Sequence, residues 1–151
     1  MLIRPINESD NEPLSVILRE VLIEMQIPKK GSAYDDPELD NMFLTYQLPR
    51  SKYFVVEEEG RILGGAGISP LKEGDEDICE LQKMYFHKSL RGRGIGNKMI
   101  QICIDFAIES GFEIVTRGLL TKAGFIKNTQ SVQAAKDFIQ KGSESLIKKL
   151  G

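Results

Sequence analysis

The stretch from Ile78 to Ser110 constrains this chain more than any other part of it. Ile78-Cys79-Glu80-Leu81-Gln82-Lys83-Met84-Tyr85-Phe86 reads as a strand. His87-Lys88-Ser89-Leu90-Arg91-Gly92-Arg93 follows as a turn, and Gly94 to Ser110 has helical spacing, with Gly111 in the C-cap role. Ile95, Met99, Ile102, Cys103, Phe106 and Ala107 form an apolar stripe, while Asn97, Gln101, Asp105 and Glu109 fall on the other side. The stripe predicts a helix anchored on a sheet, with its N-terminus held by the loop. The first-turn amides of such a helix have no partners inside it. With the macrodipole they make an anion site. Gly92, Gly94 and Gly96 let the backbone approach phosphate oxygens and adopt positive φ, and Arg91, Arg93 and Lys98 add cationic donors. The competing reading is a glycine-rich turn with solvated arginines. Three glycines at a helix start cost stability without a ligand, which favours the phosphate site.

Two familiar phosphate loops are excluded by their own requirements. A Walker A loop ends in Gly-Lys-Ser or Gly-Lys-Thr, whereas this chain has Gly96-Asn97-Lys98-Met99. A dinucleotide fingerprint needs a third glycine where Asn97 stands. The pattern left is Arg/Gln-x-x-Gly-x-Gly/Ala, met by Arg91-Gly92-Arg93-Gly94-Ile95-Gly96. It resembles the pyrophosphate loop of the GNAT superfamily, the coenzyme-A-dependent N-acetyltransferases. Glu80 to Phe86 also resembles that family's fourth strand, and the resemblance extends over Leu2 to Glu113.

The other elements fit one mixed sheet with helices on both faces, an α/β arrangement. Leu2 to Ile6 is a strand candidate. Ser9 and Glu12 suit a capping box, with Pro13 in the first turn of a helix carrying Leu14, Ile17, Leu18, Val21, Leu22 and Met25 on one face. Asp36 as N-cap and Pro37 open a second helix that Pro49 stops. Tyr53–Glu57 and Ile62–Ile68 are strands joined at Glu59-Gly60. Gly64-Gly65-x-Gly67 within the second suggests a bulge or a close ligand approach. A polar loop spans Lys72 to Asp77, with a solvated acidic run from Glu73. Beyond the central helix, Ile114–Thr116 reads as a strand, Ser131–Lys141 as a helix and Leu146–Leu150 as a short last strand. The implied order is β-α-α-β-β-β-α-β-α-β.

A chain of 151 residues suits a single domain, residues 1–151, with one core. A formal charge of −2 argues against nucleic acid or an anionic membrane as a partner, and no apolar run approaches the ~20 residues that span a bilayer. The N-terminus lacks a signal-peptide core, and Cys79 and Cys103 read as inert core thiols, which together suggest a cytoplasmic protein. One histidine and two distant cysteines make a poor metal set, so no metal is expected.

The resemblance implies acetyl-CoA as co-substrate. Its phosphates would lie against Arg91, Gly92, Arg93, Gly94, Ile95, Gly96, Asn97 and Lys98. Its pantetheine arm would meet backbone groups of Met84, Tyr85 and Phe86 where the fourth and fifth strands splay. A backbone N–H near Met84 or Tyr85 would hold the oxyanion as a primary amine of a small molecule or peptide attacks the thioester. Period-two alternation puts Glu80 on one face with Gln82, Met84 and Phe86, where apolar neighbours would raise its pKa and suit it as general base. A structural or solvated Glu80 is the alternative. His87 reads as a turn residue more readily than as a proton shuttle, and Tyr34-Asp35-Asp36 as capping more readily than as an amine attractor.

After Glu113 the resemblance weakens. The family pattern Asn-x-x-Ala-x-x-x-Tyr then Gly-Phe meets Ser131-Val132-Gln133-Ala134-Ala135-Lys136-Asp137-Phe138 and Gly142-Ser143. A second partial match, Leu119 to Phe125, keeps Gly-Phe but has Leu120 in the tyrosine place. No tyrosine follows Tyr85, so the family's usual general acid is missing. That leaves a non-catalytic acyl-CoA-binding module as the alternative function, and the irregular C-terminal part leaves room for a homodimer.

Overall fold

The structure is a computed structural model that describes residues 1–31, 33–71, 75–121 and 124–141. Glu73 at the start of the acidic run, the Gly142-Ser143 pair and the strand expected at Leu146–Leu150 lie outside those residues.

Ten principal elements follow one another. They are β1 (Leu2–Pro5), α1 (Asn11–Glu24), α2 (Met42–Thr45), β2 (Lys52–Glu58), β3 (Arg61–Pro70), β4 (Ile78–Phe86), α3 (Ile95–Glu109), β5 (Ile114–Thr121), β6 (Gly124–Ser131) and α4 (Val132–Lys141). The strands form one sheet in chain order. Every neighbouring pair is antiparallel except β4 and β5, which are parallel and joined through α3. A parallel pair needs a crossover, and α3 supplies it.

Strand alternation divides the core in two. Phe54, Val56, Ala66, Ile68, Cys79, Leu81 and Val115 pack with α3 and α4 on one face. Tyr53, Val55 and Ile62 pack with α1, α2 and the turn before α2 on the other. Met99, Ile100 and Ile104 of α3 are fully buried. Each such side chain contributes roughly 1.5–3 kcal/mol, so α3 is fixed on the sheet. Its far end is closed by Gly111 at φ +87° and by Arg50, whose Nε donates to the Ser110 carbonyl at 3.0 Å.

The hairpin between β2 and β3 turns at Glu59 and Gly60, both at positive φ (51° and 77°), as a two-residue turn requires. Three expectations are corrected. The first helix enters through a 3-10 turn at Glu8–Asp10, where the Asp10 carboxylate accepts from the Asn7 N–H at 2.7 Å. Asp10 also takes a two-point ion pair from Arg4, so it displaces the Ser9/Glu12 box. The helix expected from Asp36 to Pro49 is two short pieces, Pro37–Asp40 and α2. Asp36 caps the first by accepting from Glu38 N–H, but Asn41 at φ −143° breaks the run and the Asn11 side chain caps Phe43 N–H. Finally, the strand expected at Ile114–Thr116 runs to Thr121, and β6 returns beside it before the last helix. As an edge strand, β6 has no need of the apolar alternation that flags a buried one. Ser131 ends β6, and its hydroxyl accepts from Ala134 N–H at 3.1 Å at the start of α4.

Candidate active site

β4 contains the feature that organises the site. Gly65 pairs with Tyr85 but Gly67 pairs with Gln82, so Lys83 and Met84 together oppose Ala66. This is a β-bulge, and Lys83 sits at φ +48°, a left-handed conformation costing a non-glycine residue about 1 kcal/mol. Tyr53, fully buried, donates from its phenol to the Lys83 carbonyl at 2.8 Å and replaces the lost ladder bond. The Lys83 ammonium approaches Glu38 at 3.5 Å. Across a trans peptide the Met84 N–H points away from the carbonyl that Tyr53 holds.

The extra residue shifts the alternation by one. Before the bulge, Cys79 and Leu81 face α3 while Glu80 and Gln82 face α1 and α2. After it, Met84 and Phe86 face α3, and Tyr85 packs on the α1 side. The expectation that Glu80 shares a face with Met84 and Phe86 is therefore corrected; of the three expected face-mates Glu80 keeps Gln82, and Tyr85 joins that side. Its neighbours there are polar. Gln82 donates to Glu80 Oε1 at 2.7 Å and accepts from the Tyr46 phenol at 2.7 Å. Burial first, then the charges of Glu38 and Glu80, push the Tyr46 phenol far above its ordinary range, so Tyr46 stays a donor. The glycines of β3 make room for this layer. A Cβ on Gly67 would stand 2.7 Å from both tyrosine rings, and one on Gly65 2.5 Å from Tyr53. The close approach expected at Gly64-Gly65-x-Gly67 is thus to the protein's own aromatics.

β4 and β5 part company at a defined point. Their register runs from Ile78↔Ile114 to Leu81↔Arg117. Beyond it β4 continues to Phe86 beside β3, and β5 continues to Thr121 beside β6. The result is a fork whose arms are no longer paired with each other.

The loop after β4 leads to the mouth of α3. Gly92 and Gly94 have φ of +75° and +74°, and an added Cβ would meet nothing within 4 Å at either. These glycines are there for backbone conformation and leave open space beside them. Gly94 is the N-cap without a side-chain cap, and Lys98 N–H is the amide that bonds back to the Gly94 carbonyl, at 3.3 Å. The amides of Ile95, Gly96 and Asn97 therefore point out of the helix end. Phe86, Leu90, Arg91, Gly92, Gly94, Ile95 and Gly96 line a cleft of about 210 Å³ at that mouth. Arg91 pairs with Glu24, and Arg93 holds Glu58 by two hydrogen bonds of 3.0 and 2.7 Å. Lys98 lies instead along a separate groove of about 330 Å³ with Met1, Ile3, Gln101 and Ile102. The Asn97 carboxamide oxygen is buried with no hydrogen-bond partner among the described residues.

Several residues have structural work only. His87 Nδ1 accepts from Ser89 N–H at 3.1 Å and caps the turn that leads into the loop. Burial pushes the Cys79 thiol up to about 12 and the Cys103 thiol higher still, so neither is a nucleophile at neutral pH. Phe138, in the place of the family's tyrosine, packs against the α3-side core. Two site residues escape a reading of the sequence. Tyr46 lay within an expected helix, its neighbours unspecified. Arg117 stands out in retrospect as a cation directly after the apolar run Ile114-Val115-Thr116.

Comparison with known proteins decides the family. The model of the acetyltransferase (GNAT) family matches residues 19–125. The chain belongs to the GNAT family of acetyltransferases. It is 38% identical over 127 residues to the uncharacterized N-acetyltransferase YjgM of Escherichia coli (strain K12), covering 83% of this chain and 74% of that protein. Among solved structures it is similar to a GNAT-family acetyltransferase of Staphylococcus aureus Mu50, with a TM-score of 0.68, 24% identity, and 79% and 72% of the two chains covered. It is likewise similar to yncA of Salmonella typhimurium, solved with its cofactor acetyl-CoA (TM-score 0.64, 22% identity, 79% and 69% covered). These likenesses bear out the mixed sheet with flanking helices as a GNAT fold. Among the described residues, no helix is long and apolar enough to cross a membrane.

Proposed function

We propose that this acetyltransferase moves the acetyl group of acetyl-CoA to a primary amine of a small molecule or peptide. The observation that carries the reading is the uncapped mouth of α3, which shares one cleft with Phe86 at the end of β4. The amides of Ile95, Gly96 and Asn97 would hold the diphosphate, with Gly92 and Gly94 supplying the turn. Arg91 and Arg93 would exchange Glu24 and Glu58 for phosphate oxygens. The cradle leaves out Lys98, which lies on another flank. From there the pantetheine arm would enter the fork and meet the freed backbone of Met84, Tyr85 and Phe86.

In this reading the amine nitrogen attacks the thioester carbonyl carbon, the C–N bond forms and the C–S bond breaks. Met84 N–H, aimed by the grip of Tyr53 on the Lys83 carbonyl, would donate to the oxyanion. Tyr85, the other backbone N–H that the resemblance implies for this contact, follows the bulge. Glu80, half-buried and oriented by Gln82 and Tyr46, would take a proton from the acceptor's ammonium and so free the neutral amine to attack. The departing thiolate, with an ordinary thiol pKa near ~8.5, would leave as such or take its proton from water. A cytoplasmic setting and a homodimer remain part of the proposal.

The test is a melting-temperature titration with acetyl-CoA followed by a thiol-release assay over a panel of amines. Stabilisation plus amine-dependent release is expected. Stabilisation without release from any amine would give the non-catalytic binding module instead.

A further inference from the structure

Arg117 stands at the crotch of the fork, opposite Leu81 in the last pair that β4 and β5 share. It is only 8% exposed, and its Nη1 is buried with no hydrogen-bond partner among the described residues. Burial pushes the Tyr85 phenol of β4 up, and the charge of Arg117 partly offsets that. Burial pulls its pKa down, so the charged form is held at a cost. The other arginines facing this region are answered: Arg91 by Glu24, Arg93 by Glu58. No carboxylate among the described residues pairs with Arg117. The hairpin that follows offers none either, since Gly118 to Ser131 contains no aspartate or glutamate. Glu80, one register step away opposite Thr116, is engaged by Gln82.

A buried guanidinium that no described carboxylate answers is a costly group to keep for structure alone. A carboxylate meets its fork geometry with two parallel hydrogen bonds. We infer that Arg117 docks a carboxylate beside the reacting thioester, so that the acceptor is an amine that also carries a carboxylate, an amino acid or a short peptide. This rests on the acetyl-transfer reading, because the fork is where that reading places the thioester. Glu80 then meets the ammonium end of the acceptor from the α1 side of β4, and Arg117 meets the carboxylate end from the side that Leu81 and Val115 share, the two converging where the strands part. The same chemistry arises if the carboxylate belongs to the acyl group, as in a dicarboxylic acyl-CoA.

The experiment compares matched acceptors, L-phenylalanine with phenethylamine, L-tryptophan with tryptamine and L-lysine with cadaverine, in wild type, Arg117→Lys and Arg117→Met. It is run with acetyl-CoA and with succinyl-CoA, and melting temperature is recorded with each compound. We expect kcat/KM to favour at least one carboxylate-bearing partner by roughly tenfold or more. Arg117→Met should abolish that preference without weakening acetyl-CoA, and Arg117→Lys should keep part of it. Arg117→Met should also raise the melting temperature of the free protein, which a merely structural arginine would not do. A preference confined to succinyl-CoA over acetyl-CoA would place the carboxylate on the acyl group and overturn the acceptor assignment. Equal use of both partners, or loss of acetyl-CoA stabilisation in Arg117→Met, would overturn the inference. If acetyl-CoA stabilises nothing in wild type, the acetyl-transfer reading fails by itself. The carboxylate arm is then decided by whether the amino acids raise the melting temperature through Arg117.

Discussion

The two faces of the sheet are built from different materials. Toward α3 and α4 the buried layer is aliphatic and aromatic, with two inert thiols, and the open helix mouth lies at its edge. Toward α1 and α2 the layer holds two buried tyrosines, each spending its hydroxyl on β4: Tyr53 on the Lys83 carbonyl and Tyr46 on Gln82. A single strand serves both faces because one extra residue, Lys83, lets Met84 and Phe86 look toward α3 while Glu80 and Gln82 look toward α1. The lesson is a division of labour. In the proposed reaction one face would hold a large anionic cofactor with backbone amides, and the other would present side-chain proton acceptors to an amine. The bulge is where the two meet.

That division can be broken at either face. The largest effect is expected from Glu80→Gln, which removes the proposed base and leaves the α3 mouth alone. Turnover should fall by roughly 100-fold or more with acetyl-CoA stabilisation unchanged. Gly94→Val does the converse. A β-branched residue at φ +74° is strained, so the mouth should distort and acetyl-CoA affinity, measured by calorimetry, should drop on the order of 100-fold. Tyr53→Phe strikes the junction by leaving the bulged carbonyl without its donor. A loss of about 1–3 kcal/mol in denaturant unfolding is expected, with a fall in kcat larger than any change in KM. Glu58→Gln frees Arg93 for phosphate, and acetyl-CoA affinity should rise about two- to fivefold at low salt, less at high salt.

The smallest effect concerns acid stability. Burial alone would push Asp10 up, but Arg4 and the Asn7 amide outweigh it and hold the carboxyl below its usual range. A depressed carboxylate adds stability that is present above its unfolded value, near ~3.9, and is lost as pH falls through the lower folded value. Asp10→Asn should therefore flatten the melting temperature below about pH 4 and lower it modestly at neutral pH.

Much of the cofactor face was legible in the sequence, because its signals are local. Glycine at positive φ, an apolar stripe at helical spacing and a strand ahead of both lie within Ile78–Ser110. The acceptor face was less legible, because it depends on partners far apart in the chain. Nothing near Lys83 announces a left-handed residue, and Tyr53 lies thirty positions before the carbonyl it serves. Strict alternation therefore put Glu80 with Met84 and Phe86, and one bulge undid that. Asn41 broke the expected second helix for a similar reason, since the group that caps the second piece belongs to Asn11. β6 went unseen because pairing with β5 sets it, with no alternating apolar pattern to mark it.

The most direct test of the account is calorimetric binding of coenzyme A beside pantetheine, which lacks the diphosphate and the nucleotide. If bare amides at the start of α3 provide the grip, coenzyme A should bind at least about a hundredfold more tightly, and Gly94→Val should erase the difference. Equal affinities, or a difference that survives Gly94→Val, would contradict it.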